Sequence, residues 1–240
     1  MPKTKYYNPQ EDVVQIKDGK RTPVKAYDLY QGLHAGPGAK TTNSAEKIQE
    51  KMHDQAGPLS MRFDGQYLTL IHKEGNKTTE YNFPAVSGQP LEKYGTTFSY
   101  DKERQKIKDV GPIPEGQHTV DLSTTQYWKD AGLQERAKAF IGRGNFPGWT
   151  RSWGKGHIDI RLDPQVQEKT NRSGMTIHGG TIAGSRGCID LVNKDEAFFS
   201  KLEELKGTQK EIPLTVDYSK TPEKVKWSPR TKPTTEEKQR

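Results

Sequence analysis

The chain has 240 residues, of which 30% are hydrophobic and 29% charged, with a net charge of +7. That length suits one sizeable domain with extensions, and a mean hydropathy of −0.99 excludes a bundle of membrane helices, since no window approaches the roughly eighteen apolar residues of a span. A single cysteine excludes an internal disulfide, and twenty-three glycines with fifteen prolines favour a turn-rich, mostly β fold over a helical bundle.

A basic balance suits acidic partners such as nucleic acid, an anionic membrane or an anionic wall polymer. The charge is uneven, however. Seven Lys/Arg and three Glu between Lys220 and Arg240 supply +4 of the +7. The body is therefore only mildly basic, and basic residues are not interleaved with aromatics as nucleic-acid binding would want. The first residues, Met1-Pro2-Lys3-Thr4-Lys5-Tyr6, lack an apolar signal region. The expectation is a protein made in the cytoplasm without a general secretory signal.

In chain order, residues 1–60 read as a polar extension. Gly32 to Gly38 is a loop, and Ser44 to Met52 a short helix capped by Ser44 or Asn43. From Met61 the pattern becomes a meander: strand, turn at Asp64-Gly65, strand, turn at Glu74-Gly75-Asn76-Lys77, then a strand over Thr78 to Pro84. Gly111-Pro112-Ile113-Pro114-Glu115-Gly116 predicts a rigid turn ahead of a strand at His118 to Leu122. Thr125 to Ile141 has helical periodicity, with Trp128, Leu133, Ala137 and Ile141 on one face. Gly156 to Leu162 and Gly174 to His178 read as strands. Asn193 to Leu205 reads as a helix with Ala197, Phe198 and Leu202 or Leu205 inward, and Ile212 to Tyr218 as a last strand. Residues 61–218 thus form the candidate domain. Residues 219–240 have the composition of a disordered basic tail.

The chemistry concentrates in Gly174-Met175-Thr176-Ile177-His178-Gly179-Gly180-Thr181-Ile182-Ala183-Gly184-Ser185-Arg186-Gly187-Cys188-Ile189-Asp190-Leu191. An apolar strand ends in His-Gly-Gly. A glycine-rich loop leads to Ser-Arg-Gly-Cys, and an apolar strand or helix start follows. A lone cysteine is more often a small buried hydrophobe than a nucleophile. Here it sits in a glycine-rich loop, where backbone N–H groups can approach a developing oxyanion. A nearby imidazole would supply the reactive thiolate, and nine residues are enough to fold Cys188 back onto His178. Papain-like enzymes and caspases separate their His and Cys widely, so neither class fits. Metal-ligand spacings, a phosphate loop and a dinucleotide fingerprint are missing from the sequence, so no metal or other cofactor is expected.

His178, Gly179, Ser185, Gly187, Cys188 and Ile189 resemble the signature of the YkuD-like L,D-transpeptidase superfamily: His-Gly, a spacer, then Ser-[His/Asn]-Gly-Cys-[Ile/Val]-Arg. Arg186 stands where His or Asn is usual, and Asp190 where Arg is usual. The short spacer is similar to that of the superfamily's type VI secretion effector branch. So are Phe83-Pro84-Ala85-Val86-Ser87-Gly88, the Gly111–Gly116 turn and Arg172-Ser173-Gly174. The resemblance covers roughly residues 63 to 218.

The resemblance implies a YkuD-like antiparallel β-sandwich or barrel with one or two short helices. It implies attack by Cys188 on peptidoglycan stem tetrapeptides, at the bond between diaminopimelate and D-alanine. His178 would act as base and acid, and the backbone N–H groups of Gly187 and Cys188 would form an oxyanion hole, with Ser185 bonding in the loop or assisting His178. The missing Arg leaves substrate binding to other groups. Arg186, Arg172 or Arg161 could hold the substrate carboxylate. His157 and Gly179 could line the site, as could Trp149 and Trp153. Asp190 could orient His178, pair with an arginine or cap the loop. The implied setting is secretion into the periplasm of a target bacterium on a type VI carrier, with an immunity protein in sister cells. A housekeeping transpeptidase, or a non-catalytic basic module holding an anionic polymer, is the alternative.

Overall fold

The computed structural model describes residues 13–17, 20–24 and 59–239. The loop at 32–38 and the helix at 44–52 expected from the sequence lie outside the described residues. Two short strands, β1 (Val13–Lys17) and β2 (Lys20–Val24), form a hairpin.

The meander comes next: β3 (Leu59–Phe63), β4 (Tyr67–Glu74) and β5 (Lys77–Pro84). Its first turn is where Asp64-Gly65 predicts it. Asp64 Oδ1 accepts from the N–H groups of Gln66 and Tyr67, and Gly65 sits at φ +90°, where a side chain would be strained. After β6 (Val86–Ser87), β7 (Thr97–Ser99) and α1 (Lys102–Gln105), the long β8 (Gly116–Tyr127) crosses the molecule. Two helices, α2 (Leu133–Phe140) and α3 (Trp149–Trp153), intervene before β9 (Gly156–Arg161). Then follow α4 (Pro164–Thr170), β10 (Met175–His178), β11 (Ile189–Asp190), α5 (Asp195–Leu205), β12 (Glu211–Val216), β13 (Lys224–Lys226) and β14 (Thr234–Gln239).

The fold is mostly β. Among the described residues, twelve strands form one sheet in the order β2-β1-β14-β5-β4-β3-β12-β8-β9-β10-β11-β6, and β13 pairs with β7 alone. The sheet is mixed where an antiparallel one was expected: β1 with β14, β3 with β12 and β10 with β11 run parallel. Among the described residues five short α-helices accompany it, where one or two were expected.

Alternation explains the core. Leu59, Met61 and Phe63 of β3, Val120 and Leu122 of β8, and Ile212, Leu214 and Val216 of β12 are all buried at every second position. Each such side chain contributes about 1.5–3 kcal/mol. Helix α5 closes the core through Phe198, Phe199, Leu202 and Leu205, with Phe198 edge-on to Phe83 at 5.4 Å. Removing the Phe198 ring would cost about 3–5 kcal/mol.

Two expectations fail. The helix read over Thr125–Ile141 begins only at Leu133, because β8 continues to Tyr127, whose ring meets Phe199 at 5.6 Å. Its expected inner face points outward: Leu133 is 87% and Ile141 67% exposed, while Ala139 is buried. The tail read as disordered instead carries β13 and β14. Strand β14 pairs with β5 along its whole length, from Thr234↔Asn82 to Gln239↔Lys77, and buries Thr235. A polar strand needs only backbone partners to join a sheet edge, and composition is blind to them. Residues 1–60 are likewise not wholly an extension, since β1 and β2 extend the same sheet. Among the described residues no helix is long and apolar enough to cross a membrane.

Candidate active site

Strand β10 places the chemistry. Period-two alternation sets Thr176 and His178 on one face and Met175 and Ile177 on the other. Parallel pairing of Ile177 with Ile189 and of His178 with Asp190 puts Cys188, the residue before β11, beside Thr176. The Cys188 thiol is within hydrogen-bonding reach of His178 and of Thr176. Thr176 Oγ1 is buried with no hydrogen-bond partner among the described residues. On the opposite edge, β9 pairs His157 directly with His178.

The tautomer of His178 follows from its neighbour. Nδ1 lies 2.6 Å from the carbonyl of Gly179, and a carbonyl only accepts, so Nδ1 carries a proton. Nε2 is left for the sulfur. Burial works against a charged imidazole, but the hydrogen bond to Cys188 and the charges of Asp190 and the thiolate outweigh it and raise the His178 pKa. For Cys188, burial pushes the thiol up, while the His178 hydrogen bond and charge and the Thr176 contacts pull it down further; its pKa is lowered. The two shifts favour a thiolate–imidazolium pair.

Asp190 is 1% exposed and does not bond to the imidazole. Its carboxylate accepts from Gly184 N at 3.0 Å and Val192 N at 2.7 Å. Burial raises its pKa to about 6 against the pull of His178 and these amides. It caps the loop and supplies negative charge behind the histidine, so a direct role in substrate binding is not its placement.

The loop 181–187 is sewn down by its own serine. Ser185 Oγ donates to the Cys188 carbonyl at 2.6 Å and accepts from Gly187 N at 3.2 Å and Gly88 N at 3.3 Å. Ser185 is therefore a strut under Cys188, with its hydroxyl engaged by the loop and not by His178. Gly187 N is already engaged by that hydroxyl, which leaves the Cys188 N–H as the candidate oxyanion donor. Ser87 Oγ donates to the Gly187 carbonyl at 3.1 Å and accepts from Ile113 N at 2.8 Å.

Arg172 completes this side and corrects an expectation. The side chain is 3% exposed. Its guanidinium donates to the carbonyls of Gln105 (2.9 Å), Pro112, Gly111 (3.0 Å) and Arg186 (3.0 Å). It is not free to bind a substrate carboxylate; it ties α1, the Gly111–Gly116 turn and the 181–187 loop together. Gly187, at φ +122°, must be glycine, because a Cβ there would collide with the Arg172 guanidinium. Arg186 itself is exposed. Arg161 is paired with Glu211 at 2.9 Å.

Aromatic rings make the other side. Trp153 lies 5.1 Å from His178 and 5.0 Å from His157, and Phe146 lies 4.7 Å from His157, between ring centroids. His157 is buried, its Nδ1 has no partner, and burial together with the charge of His178 depresses its pKa to about 4. It is a neutral ring beside the His178 imidazole, inside the wall and not at a binding surface. Trp128 bridges outward from Phe146 to Trp149, which is 47% exposed.

No known family's sequence profile and no curated protein matches the chain. Among solved structures, Bd1075 of Bdellovibrio bacteriovorus is similar at 14% identity, with a TM-score of 0.42 over 69% of this chain and 49% of that one. The chain thus spans about half the length of that neighbour.

Two further groups carry the site without a sequence signal of their own. Asp195 at the start of α5 accepts from Lys155 N at 2.6 Å and packs so closely that a Cβ on Gly179 would strike its carboxylate. Gly179 is therefore a buried hinge of backbone beneath His178, not a substrate contact. Arg151 of α3 is the second: its carbonyl accepts from Thr181 N at 2.9 Å, which ties α3 to the loop that starts at His178. Thr176, by contrast, was findable, two residues before His178 on the same strand face.

Proposed function

We propose that this chain is a cysteine L,D-carboxypeptidase or transpeptidase that cuts peptidoglycan stem tetrapeptides between diaminopimelate and D-alanine, and that it works as a type VI antibacterial effector. The observation that carries the reading is the coupling of Cys188 to His178. The segments that resemble the superfamily also converge on that pair: Ser87-Gly88, the Gly111–Gly116 turn, Arg172 and the Ser185–Cys188 loop.

In this mechanism the Cys188 thiolate attacks the diaminopimelate carbonyl carbon, and the C=O becomes an oxyanion held by the Cys188 N–H. Collapse breaks the C–N bond. The imidazolium of His178 gives its Nε2 proton to the departing D-alanine amine, which leaves a thioester and a neutral imidazole. A water molecule, giving up its proton to His178, then attacks the thioester. The tripeptide acid leaves and the thiolate–imidazolium pair returns. A D-amino acid or a second stem in place of water gives exchange or a 3–3 cross-link. The Nδ1–H bond to Gly179 O keeps Nε2 aimed at the sulfur throughout.

The test is incubation of the purified protein with disaccharide tetrapeptides and mass analysis. Loss of one terminal D-alanine is expected, and Cys188→Ala should abolish it. An unchanged muropeptide profile with wild-type protein would sink the proposal. Expression directed to the periplasm should be toxic where cytoplasmic expression is not, and equal toxicity in both compartments would remove the effector reading.

A further inference from the structure

Beside the nucleophile loop is a cavity of about 340 Å³. One wall is Ile182 to Gly184, from the loop that joins His178 to Cys188. The facing walls include Arg151 and Ser152 of α3 and Lys93 and Tyr94. Two cations and no Asp or Glu line it. Both cations are exposed, and neither forms a salt bridge with a carboxylate among the described residues. Lys93 Nζ rests over the Tyr94 ring at 5.3 Å, an aromatic contact that leaves its charge available.

The cavity is mechanically part of the site. Thr181 N bonds the Arg151 carbonyl at 2.9 Å, and Ser185 N bonds the Gly88 carbonyl at 3.0 Å. Gly184 donates to Asp190 at 3.0 Å, and a Cβ on it would press on Pro90 Cδ at 3.0 Å, so backbone forms the wall without side-chain bulk. Of the arginines expected to hold a substrate carboxylate, Arg186 is exposed on the loop and the other two are engaged elsewhere. Arg172 is enclosed by carbonyls and Arg161 is paired. Asp190, where a cation would be usual, is buried under the loop.

We propose that Arg151 and Lys93 form the carboxylate-recognition site for the peptide that Cys188 attacks. This rests on the peptidase reading above and gives it a carboxylate anchor. Arg151 offers a planar fork for a bidentate carboxylate, and Lys93 adds a second positive charge. The stem peptide has more than one carboxylate within a few bonds of the scissile carbonyl. The chemistry is the same for the terminal D-alanine carboxylate and for the diaminopimelate side-chain carboxylate.

The experiment is a substitution cycle on purified full-length protein. Arg151→Glu and Lys93→Glu are assayed on the native tetrapeptide and on two amidated forms, one blocked at the terminal carboxylate and one at diaminopimelate. Both positions are exposed, so the fold should survive, and Lys210→Glu controls for net charge. Wild type should lose about tenfold in kcat/KM on one amidated form, mostly through KM. Arg151→Glu should lose at least as much on the native peptide and nothing further on that same form. The form that shows this coupling identifies the carboxylate. Additive losses, or full activity in both variants, would overturn the proposal while leaving the peptidase reading intact. If wild type turns over no muropeptide, titration of Cys188→Ala with the tetrapeptide and its amides decides the matter. Binding that needs both the carboxylate and Arg151 supports the cavity on its own, and binding indifferent to Arg151 removes it.

Discussion

The two sides of His178 are built from different materials. On the Cys188 side nearly every contact is a directed hydrogen bond: Ser185, Ser87, Arg172 and Asp190 each bind backbone groups of the loop. On the His157 side the contacts are rings, running from Trp153 and Phe146 out to Trp128 and Trp149. Hydrogen bonds fix position to a few tenths of an ångström, which a nucleophile and its oxyanion donor require. Rings exclude water and lower the local dielectric, which strengthens the thiolate–imidazolium attraction. The polar side sets where the charges are, and the aromatic side sets how strongly they act.

The largest expected effect lies at the sulfur. Cys188→Ala should lower kcat by more than about 10⁴-fold with little change in stability, read in the muropeptide assay. Residual turnover within tenfold of wild type would mean the charge pair is not the catalyst. Next comes Arg172→Met, which deletes a buried hub and leaves several carbonyls unsatisfied. It should cost about 3–5 kcal/mol, seen as a lower urea midpoint. A cost below about 1 kcal/mol would show that the polar side does not depend on this cross-link.

The same contrast decides what the sequence could disclose. Alternation and turn chemistry gave away β3 to β5, β9, β10, β12 and α5, because each carries its own periodicity and its own Gly or Asp at the turn. That His178 and Cys188 would lie side by side was legible, because a glycine-rich loop between two apolar strands is a local pattern. Arg172 was misread as a substrate cation. Its burial depends on space left by Gly187 and on carbonyls sixty residues away in the Gly111–Gly116 turn, which no local window contains. The aromatic side misled in the opposite way. Trp128 and Leu133 were read on one helical face, yet β8 runs on to Tyr127, whose ring meets Phe199, and Trp128 meets Phe146. Tertiary packing overrode the period, and Leu133 was left in solvent.

Acid stability separates the sides again. His157 is held neutral, with its pKa depressed from the usual histidine range to about 4. The unfolded chain therefore binds a proton that the folded chain refuses. Stability from this residue is intact above about pH 6.5 and falls as pH drops towards 4, by about 2 kcal/mol at pH 5. Asp190, raised to about 6, opposes this over roughly pH 4 to 6, because the folded state then binds the extra proton. His157→Phe, between Phe146 and Trp153, should shrink the loss of Tm between pH 7 and 5. An unchanged or steeper loss would mean His157 is not the aromatic side's acid-labile group. Asp190→Asn tests the polar side. Without the negative charge behind it, the His178 imidazolium is less favoured, and the alkaline limb of the kcat/KM profile should move down by about one pH unit. An unmoved limb would assign Asp190 to loop capping alone.

The smallest effect is expected at the outer end of the ring chain. Trp149 is 47% exposed and sits at φ +66°, a left-handed conformation that costs a non-glycine residue free energy. Trp149→Ala removes contacts to Phe140 and Trp128 at 5.7 and 6.0 Å but buries no new polar group, so its effect on stability should stay below about 1 kcal/mol. Trp153→Ala uncovers both His157 and His178 and should shift the pH profile of activity as well as the melting curve. If Trp149→Ala moved that profile equally, the electrostatic role assigned to the inner ring would belong to the whole aromatic segment, and the division between a wall against the imidazole and a solvent-facing rim would fail.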